Sequence, residues 1–126
     1  MIGYVMVGSN DIDKSTYFYD SILFHLGLRK QEITEDYIGY AQNKKNTQIE
    51  FYLTKPFNGK VATYGNGTMI AFLAQSRGDV EKFHKTGLEL GGIDEGKPGL
   101  RPTGGSMYLA YVRDFDGNKI CAYCND

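Results

Sequence analysis

The segment D-I-D-K-S-T-Y-F-Y-D-S-I-L-F-H-L-G-L (11–28) is written a second time, in looser form, as D-V-E-K-F-H-K-T-G-L-E-L-G-G (79–92). In the first copy Ile12, Ser15, Tyr19, Ile22, Leu23 and Leu26 recur at helical spacing and make one buried stripe over about 11–26. Ser9, Asn10 and Asp11 ahead of it are cap residues, and Gly27 is a stop. In the second copy Gly78 and Asp79 open a helix with the stripe Val80, Phe83, His84, Gly87 and Leu88, and Gly91 and Gly92 end it.

Outward from these helices the flanks repeat as well. A short apolar run precedes each helix, at 2–8 and at 68–74. Strand-like runs follow the first at 28–33, 37–42 and 47–54, with Lys44, Lys45 and Asn46 as a polar turn between the last two. After the second helix comes a loop-rich stretch holding Pro98, Arg101 and Pro102, then strands at 107–113 and 119–123 joined by a turn at 114–118. Q-I-E-F (48–51) answers K-I-C-A (119–122). Repetition on this scale fixes architecture. The chain is expected to be α+β, one domain over 1–126 built from two βαβββ modules: module one about 1–55, a linker at 56–66 broken by Pro56, Gly59 and Gly65, and module two about 67–126. Each sheet has one face covered by its helix, and the other face needs a partner. If the second module supplies it, two facing curved sheets enclose a central cleft, a natural ligand site.

The bulk numbers narrow the function classes. The chain has 126 residues and a 41 % hydrophobic fraction, enough for a core without disulfides or a structural metal. Fourteen basic and 15 acidic residues, a net charge of −1, give no electrostatic case for nucleic acid or an anionic membrane. Apolar runs are too short to span a bilayer, and the first residues lack the charged and apolar regions of a signal peptide, so a cytoplasmic location is the expectation. Cys121 and Cys124 have the C-x-x-C spacing of zinc and redox motifs. On a strand, residues three apart point to opposite faces, so the two sulfurs should be free thiols rather than a pair.

Several of these stretches resemble, across nearly the whole chain, the vicinal oxygen chelate superfamily of glyoxalases, bleomycin-resistance proteins and ring-cleaving dioxygenases. The resemblance is carried by 11–20, by G-N-G-T-M-I-A-F (65–72), V-E-K-F-H-K (80–85), P-G-L-R-P (98–102) and V-R-D-F-D-G-N-K-I (112–120). The last is similar to a D-P-D-G-N-x-I-E ending, with Phe115 for Pro and Cys121 for Glu. The group spans isomerases, transferases, dioxygenases and binding proteins, so the fold does not select a reaction. In metal-dependent relatives two strands per repeat bring His, Gln and Glu to one ion. The resemblance puts Tyr4, Glu50, Met69 and Cys121 at those places, and the repeat makes Tyr4 equivalent to Met69 and Glu50 to Cys121. Phenol and thioether are weak donors for a hard or borderline divalent ion. Glu50 with Cys121 gives two good zinc ligands where three or four are needed. No metal is therefore assigned.

The expected function is a metal-free protein holding a small aromatic or amphipathic molecule in a cleft lined by Tyr4, Glu50, Tyr52, Met69, Arg101, Tyr108 and Cys121. Of Tyr108 and Tyr111, which point to opposite faces, only one should line it. Arg101 is a candidate for an anionic ligand group and equally for a loop ion pair. Two enzymatic alternatives stand beside this reading. One is a Zn- or Ni-dependent lyase or isomerase of the lactoylglutathione lyase type, which the resemblance implies. The other uses Glu50 as base and Cys121 as nucleophile without a metal. His25 and His84 lie on helices and read as packing or surface residues. The resemblance also implies a homodimer.

Overall fold

The computed structural model describes residues 1–102 and 104–125. Its elements run β1 (Val5–Gly8), α1 (Ile12–Phe24), β2 (Leu28–Ile33), β3 (Tyr37–Gln42), β4 (Phe51–Thr54), β5 (Met69–Leu73), α2 (Arg77–Glu89), β6 (Ile93–Leu100), β7 (Tyr108–Arg113) and β8 (Lys119–Cys124). The order strand, helix, three strands occurs twice, as the repeat requires. The first sheet is ordered β1-β4-β3-β2 and the second β5-β8-β7-β6. In each, the module's first and last strands pair in parallel and the rest antiparallel.

Both helices begin on the residue type that satisfies their first free N–H groups. The Asp11 side chain accepts from the Lys14 backbone N–H, and the Ser76 hydroxyl accepts from that of Asp79. The buried stripe of α1 is Ser15, Phe18, Tyr19, Ile22 and Leu23, so Phe18 joins the expected set. That of α2 is Val80, Phe83, His84 and Gly87, with Leu88 turned outward. Phe18, Tyr19, Ile22 and Leu23 are fully covered, each contributing roughly 1.5–3 kcal/mol of burial.

The proline-rich stretch after α2 is where the structure departs most from the sequence reading. Pro98 lies inside β6, not in a loop. A proline is tolerated there because β6 is the edge of its sheet, and pairing with β7 jumps from Gly96↔Tyr111 to Gly99↔Leu109, skipping residues 97 and 98. β4 is also shorter than the 47–54 run.

The two modules meet through their helix-covered sides. Ile22 of α1 and Val112 of β7 crowd Gly87 of α2, His25 Nε2 lies 3.0 Å from Thr86 Oγ1, and Phe51 of β4 meets Phe72 of β5 at 5.3 Å between ring centroids. One hydrophobic core runs through both modules. At its rim the β7–β8 turn is tied to module one by buried polar bonds. Tyr19 donates its hydroxyl to Asp114 at 2.5 Å, and Asp114 also accepts from the Asn118 side chain and the backbone N–H groups of Asp116 and Asn118. Asn118 Nδ2 in turn donates to the Gly8 carbonyl at 3.0 Å. Burial pushes both Tyr19 and Asp114 up from their ordinary pKa values. The linker packs its Ala62 against Gly8 and Tyr64 against Gly117, whose φ of +86° suits the turn after Asp116. With the helices sharing the middle, neither sheet's free face is closed off by the other within one chain.

Among the described residues no helix is long and apolar enough to cross a membrane.

Candidate functional site

Strand alternation decides which side chains reach the free face of the second sheet. Ile120, Ala122 and Cys124 of β8 turn into the helix-side core. Lys119, Cys121 and Tyr123 turn the other way. The register sets Tyr111 beside Cys121, Leu109 beside Tyr123 and Arg113 beside Lys119, with Met69 and Ala71 on the far side of β8. The long β6 edge adds Lys97, and the segment after it adds Arg101. Met69, Lys97, Arg101, Leu109, Tyr111, Arg113 and Lys119 of this set line an open depression of about 740 Å³.

The electrostatics of this depression are one-sided. Four cationic side chains, Lys97, Arg101, Arg113 and Lys119, line it with one carboxylate, Glu95. Glu95 is taken up by Arg113, whose Nη1 also donates to the Gly117 carbonyl at 2.7 Å. Arg101 donates to the Tyr111 hydroxyl at 2.8 Å, and the Lys119 ammonium sits 5.1 Å from the centroid of the same ring. Cys121 is fully covered at this place. Burial pushes its thiol up to about 11, with the charges of Arg101 and Lys119 pulling the other way. It is a protonated thiol near neutral pH, not an activated nucleophile.

The free face of the first sheet has another chemistry. Tyr52 of β4 is flanked by Tyr4 and Tyr37, at 5.0 and 5.6 Å between centroids, both edge-on. Its hydroxyl donates to Glu32 at 3.1 Å, and burial followed by that bond raises its pKa. Tyr37 is raised chiefly by its bond to the same carboxylate. Glu50 is exposed and accepts from Gln42 Nε2 at 3.2 Å. It lines a second depression of about 820 Å³ with Arg29, Phe72 and Leu73, where the end of β5 approaches module one.

The sequence-predicted residues thus fall into three places. Met69 and Arg101 share the module-two depression, with Cys121 fully covered beside Tyr111 on the neighbouring strand. Tyr4 and Tyr52 touch on module one's face, where Tyr4 is 58 % exposed. Glu50 lies in the second depression. Tyr108 belongs to the helix side, packed against the core, because its partner across the strand is the inward-facing Cys124. The tyrosine that lines the depression is Tyr111. The repeat equivalence also shifts. Glu50 stands next to Tyr4, since the Val5 N–H reaches the Glu50 carbonyl, whereas Cys121 stands opposite Ala71, two residues on from Met69. His84 is buried and bonded to Asp94.

For a metal, the donor chemistry does not fit. A phenol and a thioether are weak donors, the covered Cys121 lies away from Glu50, which lines the other depression, and no three of His, Cys, Asp and Glu gather closely enough to hold an ion among the described residues. Sequence reasoning missed Lys97, Arg113 and Lys119. Lys119 was legible, because it alternates with Cys121 and must share its face. Lys97 was hidden by Pro98, which disguised the edge strand.

Comparison with known proteins gives a consistent picture. Residues 1–122 match the Glyoxalase/Bleomycin resistance protein/Dioxygenase superfamily. A probable lactoylglutathione lyase of Vibrio cholerae is 31 % identical over 122 residues, covering 93 % of this chain and 85 % of that protein. A lactoylglutathione lyase of rice, Oryza sativa subsp. japonica, is 33 % identical over 126 residues, which cover 92 % of this chain but only 41 % of the rice protein. The crystal structure of a glyoxalase/bleomycin resistance protein from Albidiferax ferrireducens superposes with a TM-score of 0.84 at 41 % identity, covering 98 % of each chain. A putative glyoxalase from Bacillus halodurans matches at TM-score 0.75 and 18 % identity, over 98 % of this chain and 95 % of that one, a likeness of fold alone.

Proposed function

Since this chain belongs to the Glyoxalase/Bleomycin resistance protein/Dioxygenase superfamily, we propose that it binds a small organic molecule on the free face of its second sheet without a resident metal ion. The observation that carries this reading is the replacement set on the strands where relatives gather an ion. Met69 there lines a depression of about 740 Å³ that also offers an aromatic ring and fixed polar groups, and Cys121 is the covered strand partner of Tyr111, which lines it too. A thermal-shift screen of small aromatic and amphipathic compounds, run with and without added Zn²⁺ and Ni²⁺, tests it. The expected result is stabilisation by ligand alone, unchanged by metal and diminished in Tyr111→Ala. A screen in which every hit needs a metal ion overturns it.

A second reading, a metal-dependent lyase, is favoured by the name of the 31 % identical Vibrio cholerae protein. The donor set speaks against it. The metal-free pair of Glu50 as base and Cys121 as nucleophile lacks the geometry it needs, with Glu50 exposed in a different depression and the thiol held protonated.

A homodimer is part of the proposal. The free faces leave Tyr4 (58 % exposed), Met6 (49 %), Met69 (42 %) and Leu73 (63 %) uncovered, apolar side chains that a second copy would bury. Sedimentation at micromolar concentration is expected to give two chains per particle. A monomer at all concentrations removes this part.

A further inference from the structure

We propose that the ligand of the module-two face is an organic acid, its anionic group held by Arg101 and Lys119 with Lys97 at the rim, and its flat body laid on Tyr111 and Leu109. The proposal rests on the binding reading above and names the chemical class that reading leaves open.

Three observations converge on it. The first is imbalance. Arg113 and Glu95 neutralise each other, which leaves Lys97, Arg101 and Lys119 in the depression with no ion pair among the described residues. Three cations on one sheet face repel each other unless an anion joins them, and an open cavity supplies room for one. The second is arrangement. Arg101 holds the Tyr111 hydroxyl at 2.8 Å and the Lys119 ammonium sits 5.1 Å from that ring's centroid, so the two cations bracket one aromatic side chain. A single hydrogen bond to Tyr111 leaves most of the guanidinium's donors unused, in the fork geometry that matches a carboxylate. The third is the lining between the charges. Met69, Leu100, Leu109 and the Tyr111 ring are apolar surface that a bare inorganic ion does not use and an organic body does.

The other depression does not compete. It sets Arg29 and Lys44 against Glu50 and has no excess of one sign on this scale.

Matched pairs of probes, each an aromatic carboxylate beside its neutral primary amide (benzoate and benzamide, phthalate and phthalamide), isolate the charge. Binding is followed by backbone amide shifts in isotope-labelled full-length protein, with inorganic phosphate as a third probe. The carboxylates are expected to bind on the order of tenfold or more tighter than their amides, a loss typical of one charge-assisted hydrogen bond. Their shifts are expected to cluster on β5, β7 and β8, and their affinity to fall as salt rises. Arg101→Gln and Lys119→Gln are expected to weaken the carboxylates far more than their amides, so that the preference is lost, and Lys45→Gln to do nothing. Amides that bind this face as well as the acids overturn the organic-acid class and leave the binding reading intact. Phosphate that competes as strongly as phthalate overturns the organic body. If no probe of either kind moves these strands at millimolar concentration, the proposal falls, and the thermal-shift screen above decides the binding reading separately.

Discussion

The free face of the first sheet packs Tyr4 and Tyr37 edge-on against Tyr52, with Tyr52 and Tyr37 bonded to the Glu32 carboxylate, whereas the second sheet sets Lys97, Arg101 and Lys119 in one depression with Tyr111. The backbone plan is the same in both. Duplicated modules keep the positions that bury the core, because each helix and sheet must still cover its apolar side, and diverge where side chains answer to ligand or partner. The turns between the last two strands diverge likewise. In module one the 43–46 turn is an exposed stretch of polar residues. In module two Asp114 folds the turn around its own carboxylate and fastens it to Tyr19 of the other module.

That contrast predicts the largest effect. Asp114→Ala strands the Tyr19 hydroxyl, the Asn118 amide and two backbone N–H groups in a buried place, and is expected to cost about 3 kcal/mol or more. Lys45→Ala in the matching turn of module one should stay within about 0.5 kcal/mol. Denaturant midpoints measure both, and equal losses would erase the asymmetry.

An intermediate effect concerns Cys121, covered in module two, whereas Glu50 of module one is exposed. With its thiol pushed up to about 11, Cys121 in the native protein should react with a thiol reagent far more slowly than in the unfolded chain. Its rate should climb with pH through 7–9 without a plateau. A plateau near neutral pH would mean an activated thiol and revive the nucleophile reading.

The smallest effect separates the two histidines. His25, capping the end of α1, meets a neutral hydroxyl on Thr86, while His84 of α2 meets Asp94. The bond to His84, then the Gly96 N–H, holds the Asp94 carboxyl below its ordinary value. A depressed acid contributes stability above its unfolded pKa of about 3.9 and loses it as pH falls through the lower folded value. Asp94→Asn should therefore flatten the acid limb of the stability curve slightly. His25→Gln should not, and a curve unchanged by Asp94→Asn would contradict the assignment.

Most of the fold was legible in the sequence, because helical spacing, cap residues and turn glycines act locally. Two features were not. Pro98 reads as a loop, yet an irregular edge strand needs no N–H from it. The free faces read as the two walls of one cleft; within one chain the modules join through their helix-covered sides, and Tyr4, Met6 and Met69 on the free faces stay exposed. The site was legible in part. Met69 and Cys121 share a face because strand alternation places them, Arg101 reaches it from the segment after β6, and Tyr111 rather than Tyr108 follows only once the pairing with Cys121 is known. The basic character of the face was missed because Lys97 stands in the edge strand that Pro98 disguised, while Arg113 and Lys119, at the ends of strands read correctly, were not followed to their face.

Equilibrium dialysis of the full chain against Zn²⁺ and Ni²⁺, with bound metal counted per polypeptide, reaches the account's central claim most directly. The replaced donor set predicts far less than one ion per chain and no change in Glu50→Ala. One tightly held ion per chain, lost in that variant, would contradict it.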